Sequence, residues 1–192
     1  MEKPNTDRAC VKVFAKISAS ISHEIKNTLS IINENAGLLE DFAQMADENG
    51  GVAVERVLSV TKTIAKQVDR SNTIMKNLNR FAHSADTSQA HGNLGEILAL
   101  VVALTNRQAA MKNITTTLDC PPDIALSTYI ISFESLVYLT LLSFFQNSAE
   151  GSIIEIEARE EPPDIVICFT RVKQDDLSQG NSPDDEQKLL AG

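Results

Sequence analysis

Apolar residues between positions 11 and 46 recur at steps of three, four and seven: Phe14, Ile21, Ile25, Ile32 and Leu39, with Ile17, Leu29 and Leu38 beside them. Such steps put them on one face of a helix, which predicts a helix from about Val11 to Ala46. Asp47-Glu48-Asn49-Gly50-Gly51 breaks the pattern, and paired glycines act as a helix stop and a turn. A second helical pattern runs from about Val52 to Ala82. Val57, Ile64 and Leu78 form one of its apolar lines, weakened at Ser71. Val68, Met75 and Ala82 form another, weakened at Thr61. Two long helices joined by a short turn predict an antiparallel hairpin. One hairpin cannot bury both flanks of its seam, but two hairpins from two chains can, as a four-helix bundle. A homodimer is therefore expected.

Beyond residue 82 the period changes. The stretch His83–Asn93 (HSADTSQAHGN) is small and polar and predicts a linker. Leu94 to Met111 predicts a helix with Leu94, Ile97, Leu98, Val101 and Leu104 on its apolar face. Ile114–Leu118 alternates with threonines and predicts a strand, Cys120-Pro121-Pro122-Asp123 a turn, and Ile124–Thr128 a short strand. Ser132 is placed to cap a helix from Phe133 to about Ala149. Ile153–Ala158 and Ile165–Arg171 predict a hairpin around Pro162-Pro163. From Gln174 the chain is polar and acidic, as a flexible tail or weak helix would be. The expected fold is α + α/β. A helical hairpin spans 1–84 and forms a dimeric four-helix bundle. A small α/β sandwich spans 92–175, and a polar tail spans 176–192.

Composition narrows the function more than the fold. At 192 residues, 43% of them hydrophobic, there is room for one domain of ordinary size or two small ones. The net charge of −9 excludes a general nucleic-acid binder, which needs a basic face. Cys10, Cys120 and Cys168 lie far apart and form no zinc spacing, so small half-buried residues account for them. The apolar stretch Tyr129–Phe145 falls short of the roughly 20 residues a bilayer needs and is interrupted by Glu134. It reads as a buried helix, and no membrane association and a cytoplasmic location are expected.

The candidate chemistry lies in Ser22-His23-Glu24-Ile25-Lys26-Asn27, inside the first helix. At 100° per residue His23 points away from Ile21 and Ile25, toward solvent, and Asn27 lies one turn further along the same face. Glu24 falls nearer the seam. An imidazole with an unperturbed pKa near 6.5 offers a neutral nucleophilic nitrogen at cytosolic pH. A neighbouring carboxylate can hold the other ring proton as positive charge develops. The transition state for phosphoryl transfer is loose, so positioning and electrostatics do most of the work. On spacing alone a solvated surface histidine accounts for the same residues. His83 and His91 have no ligand spacing and read as solvated, as does the basic series Lys62, Lys66, Arg70, Lys76 and Arg80.

The segment Phe14–Asp41 resembles the phosphoacceptor helix of bacterial sensor histidine kinases, with SHEIKNTL matching their SHEIKNPL-type motif. The second helix resembles their second dimerisation helix. The resemblance implies that His23 carries the phosphoryl group, that Glu24 acts as the base, and that Asn27 serves dephosphorylation of the response regulator. Thr28 replaces the usual proline, which predicts a straighter helix. The later segment is similar to the first half of the kinase ATP-binding domain, with Leu142–Glu150 matching its asparagine-bearing helix. Two departures stand out. Ser143 replaces the first asparagine, leaving Asn147, and after Arg171 no DxGxG loop follows. The resemblance therefore implies a degenerate ATPase-like domain that binds no ATP. Known proteins of this build exchange phosphoryl groups with receiver domains. The expected activity is a histidine phosphotransferase in a two-component phosphorelay. His23 would exchange with response-regulator aspartates, without a cofactor of its own and with Mg²⁺ supplied by the receiver domain. The alternatives are a response-regulator phosphatase using Asn27 and a non-catalytic dimerisation or regulatory module.

Overall fold

The computed structural model describes residues 3–49, 51–86 and 89–172. The helical pattern becomes a hairpin of α1 (Lys3–Asn49) and α2 (Val54–His83). The first helix starts eight residues earlier than the apolar pattern predicts. Pro4 falls in its first turn, where a missing N–H leaves no helical bond unmade.

The two helices meet along Val60, Gln67 and Phe81 of α2, with Val57, Ile64 and Leu78 half-buried beside them. The expected seam of α1 is only partly the buried one. Val13, Ile17, Ile21 and Thr28 are buried, whereas Phe14, Leu29 and Leu38 remain 43%, 51% and 41% exposed. The cause is a second covering layer. The first half of α1 packs against the C-terminal region as well as against α2, which rotates the buried row by one position. Phe14 stacks on Phe81 with ring centroids 6.2 Å apart. On α2 the Val57–Ile64–Leu78 line faces α1. Val68 and Met75, from the other line, stay exposed, as do Val54 and Leu58.

Thr28 keeps its backbone N–H, and α1 runs through it without interruption. Its hydroxyl lies 2.8 Å from that of Ser71 across the hairpin, and each also contacts a carbonyl of its own helix. Thr28→Val keeps the shape and removes this polar clasp. A loss of about 1 kcal/mol of stability is expected, read as a lowered urea midpoint with unchanged slope.

The remainder forms β1 (Ala90–Asn93), α3 (Leu94–Ala110), β2 (Thr115–Asp119), β3 (Ala125–Thr128), α4 (Ile130–Asn147), β4 (Ile153–Glu161) and β5 (Asp164–Val172). β2 pairs in parallel with β4, and β4 antiparallel with β5; β1 and β3 form a separate antiparallel pair. β1 corrects the expectation of a linker over 83–93. Its residues Ala-His-Gly-Asn carry no alternating apolar signal, and pairing with β3 holds them extended. Asn93 then caps α3, its side chain accepting from the Glu96 N–H at 2.9 Å. The expected cap at Ser132 is also corrected: α4 begins at Ile130, with Tyr129 in the cap position and no side-chain cap. The expected tail over 176–192 lies outside the described residues.

The core is continuous across both parts. Val13, Ile17 and Ile21 of α1 and Phe81 of α2 join Leu98 and Val101 of α3, Tyr138 and Leu141 of α4, and Ile154 and Ile156 of β4. α4 has the length and mean hydropathy of a membrane span, 1.2 over its 18 residues. Its apolar side is spent on this core, with Leu141 and Phe145 buried.

Candidate functional site

The site is built on the middle of α1. Ile21 and Thr28 anchor this stretch toward the interior, and the 3.6-residue period turns Ser22, His23, Lys26 and Asn27 outward. His23 is exposed and, among the described residues, makes no hydrogen bond or ion pair. Asn27, one turn on, is exposed as well.

Glu24 is half-buried, and its Oε1 accepts from Nη2 of Arg70 at 2.7 Å. The carboxylate is thus turned to the side of the hairpin, onto α2. Arg70 is more than half exposed, so the pair itself adds only about 0.5 kcal/mol; it fixes direction more than stability. The arginine was expected to be one of a row of solvated bases. It bridges to the motif instead, and Arg80 of the same row reaches Glu96 at 3.2 Å.

The C-terminal end of α3 faces this flank of the hairpin. Gln108 donates from Nε2 to Oγ of Ser20 at 3.1 Å, tying α3 to α1 one turn before His23. Between them lies a cleft of about 690 Å³, with Glu24, Asn27 and Arg70 on the hairpin side and Asn106, Arg107 and Thr115 opposite. The structure therefore brings Glu24 and Asn27 to one cleft, while His23 stands on the open helix face beside it. Arg70, Asn106 and Arg107 carried no local sequence signal, because the Glu24 partner of Arg70 lies 46 residues away in the chain and Asn106 and Arg107 meet the motif only across the cleft.

A second polar feature is Glu134, almost fully buried on α4. Its Oε2 lies 2.5 Å from Oγ of Ser84, the residue that ends α2. Burial pushes its carboxyl up from 4.5 to about 7, against opposing pulls from Ser84 and Arg80. Its one sequence signal is a lone carboxylate inside an apolar run.

At the other end of α4, Asn147 donates from Nδ2 to the Ser143 carbonyl at 2.9 Å. Its own carbonyl accepts from Nη1 of Arg171 at 2.7 Å. Phe144 and Phe169 pack beside them, with centroids 5.9 Å apart.

No protein-family model matches the chain, and no curated protein matches it. Among solved structures it resembles histidine kinases. One from Burkholderia phymatum has 16% identity and a TM-score of 0.40, over 74% of this chain and 65% of that one. AdeS from Acinetobacter baumannii has 11% identity and a TM-score of 0.40, over 82% and 78%. ThkA, solved in complex with the response regulator TrrA, has 14% identity and a TM-score of 0.41, over 88% and 48%. The chain thus spans about two thirds of the first of these and half of the last. The fold described above and the chemistry rest on the chain's own residues.

Proposed function

We propose that this chain is a histidine phosphotransferase of a two-component phosphorelay, exchanging phosphoryl groups between His23 and response-regulator aspartates without ATP. The observation that carries this reading is the placement of the motif. An exposed imidazole, with no hydrogen bond or ion pair among the described residues, sits on α1 with Asn27 one turn away, beside an open cleft of about 690 Å³. In the reaction a ring nitrogen of His23 attacks the phosphorus of an aspartyl phosphate, and the aspartate carboxylate leaves. The receiver domain supplies Mg²⁺. The rigid α1 and the α/β unit tied to it through Gln108 and Ser20 hold the two proteins in register, which is where most of the rate advantage of such a transfer arises.

The ATP-free reading is supported by the end of α4. Asn147 occupies the position the resemblance assigns to a Mg²⁺ ligand. Its Nδ2 donates to the Ser143 carbonyl, a bond that leaves out the side-chain oxygen a cation would use; the support lies in Ser143, which stands where the resemblance places a second asparagine. A homodimer is supported by the stripe Val54, Leu58, Val68 and Met75, which follows the heptad period on α2 and is 43% to 65% exposed in the single chain. A cytoplasmic location follows from the same reading, since the receiver domains it would serve are cytoplasmic.

The testing experiment supplies a phosphorylated receiver domain with Mg²⁺ and no ATP. Acid-labile label on this protein is the expected result. Its absence with every receiver tried sinks the proposal. Asn27 on the cleft wall also favours a second reading, a phosphatase that positions water against the aspartyl phosphate. Asn27→Ala separates the two. Transfer to His23 should change by less than about threefold, while an Asn27-dependent phosphatase should lose about a hundredfold.

A further inference from the structure

The cleft beside the motif has a charge pattern that phosphotransfer at His23 does not by itself require. Two guanidiniums, Arg70 from α2 and Arg107 from α3, line it against a single carboxylate, Glu24. This is a local excess of positive charge in a chain whose net charge is −9. Asn27 and Asn106 add side-chain amides to the same walls. Arg107 is the informative residue. It is half-buried, yet among the described residues its guanidinium makes no hydrogen bond and no ion pair. A guanidinium presents five donors in a fixed planar fork, and a partly desolvated one without an acceptor is poorly satisfied. Among the described residues Arg70 bonds only Glu24, through one of its nitrogens at 2.7 Å. A smaller cleft of about 410 Å³ runs on along α2 and shares Glu24, Arg70 and Asn106, so solvent and ligand reach the pair from both sides.

We propose that this cleft is a phosphoanion site, in which Arg107 and Arg70 clamp the oxygens of a phosphoryl-bearing group and Arg70 gives up Glu24 to do so. The site rests on the phosphotransfer reading for its role, as the place where the phosphoryl group is held next to His23. The chemistry selects the ligand class. Tetrahedral oxyanions accept two parallel N–H bonds from a guanidinium, and such bidentate pairs are stronger than the single contact Arg70 makes with Glu24. The exchange has a consequence for the motif. Glu24 is held off toward α2 while the cleft is empty of anion and is released, next to His23, when an anion arrives. Arg70 is a positioning residue in this scheme.

The ligand could be free phosphate or a phosphoryl group borne by a receiver domain, and two measurements distinguish them. In the first, inorganic phosphate is titrated into the full-length protein at constant ionic strength, with chloride as the control, and the arginine Nε–H signals are followed by NMR. Saturable shifts are expected in wild type, weakened at least about tenfold in Arg107→Gln and partly restored in Arg107→Lys, which keeps the charge and loses the fork. Equal melting temperatures of the three proteins exclude a folding effect. No saturable shift, or the same affinity in Arg107→Gln, overturns the site. In the second, affinities for a phosphorylated and an unphosphorylated receiver are compared. A loss in Arg107→Gln confined to the phosphorylated form assigns the ligand to the protein-borne group, and an unchanged pair of affinities alongside phosphate binding assigns it to free phosphate. Because the titration involves no transfer, a protein that binds phosphate here and captures none on His23 overturns the proposed function and leaves the site standing.

Discussion

His23→Ala will take up no phosphoryl label from a phosphorylated receiver domain, a loss to background of at least about a thousandfold. The size of the effect follows from the geometry. His23 is the motif's only nucleophile on the exposed face, and Ser22 beside it has its hydroxyl committed to the Ser18 carbonyl at 2.8 Å. The imidazole is outside the packed core, so its removal costs the fold little, and circular dichroism and melting temperature should match wild type. Label on wild type that resists acid, or label that survives on His23→Ala, would contradict an N–P intermediate at this position. Normal signalling in cells by His23→Ala would instead favour a non-catalytic dimerisation module.

The hairpin and the order of the later elements were legible because burial imposes a period on the chain. Val57, Ile64 and Leu78 repeat every seven residues or a multiple of it, and that repeat survives whatever else packs nearby. The choice of buried row on α1 was not legible. Phe14 and Val13 are both apolar, and which of them points inward depends on α4, more than a hundred residues later. β1 failed for the same reason: Ala90–Asn93 is a strand only because β3 pairs with it. The site divides along the same line. His23, Glu24 and Asn27 are neighbours in sequence, so helix geometry alone orders them. The Arg70 contact to Glu24, the Arg107 wall and the Ser84–Glu134 contact are made by tertiary packing, and no local pattern announces them.

Glu134 carries the largest pH effect expected of this fold, and a count of protons shows why. Oγ of Ser84, with its single hydroxyl proton, lies 2.7 Å from the Phe81 carbonyl oxygen, which can only accept. If Ser84 donates there, the 2.5 Å contact to Glu134 needs its proton from the carboxyl. Glu134 is then neutral, which agrees with the upward shift to about 7 that its burial produces. The groups facing it are Lys76, Arg80 and His83 from α2 and His91 from β1, around a cavity of about 670 Å³; Arg80 is shared with Glu96 of α3. The sign follows from linkage. The folded state holds this proton up to about pH 7, while the unfolded chain gives it up near the ordinary value of 4.5. The contribution to stability is therefore full below about pH 4.5, declines as pH rises, and is gone above about pH 7. The swing is up to about 3 kcal/mol. Glu134→Gln mimics the protonated state at every pH, since its amide can donate to Ser84 while Ser84 donates to Phe81. It should match wild type near pH 4.5 and exceed it by up to about 3 kcal/mol at pH 8, in urea titrations at both values. A difference that is the same at both pH values would show that the fold leaves the Glu134 carboxyl at its ordinary value, and that Ser84 gives its proton to the carboxylate rather than to Phe81.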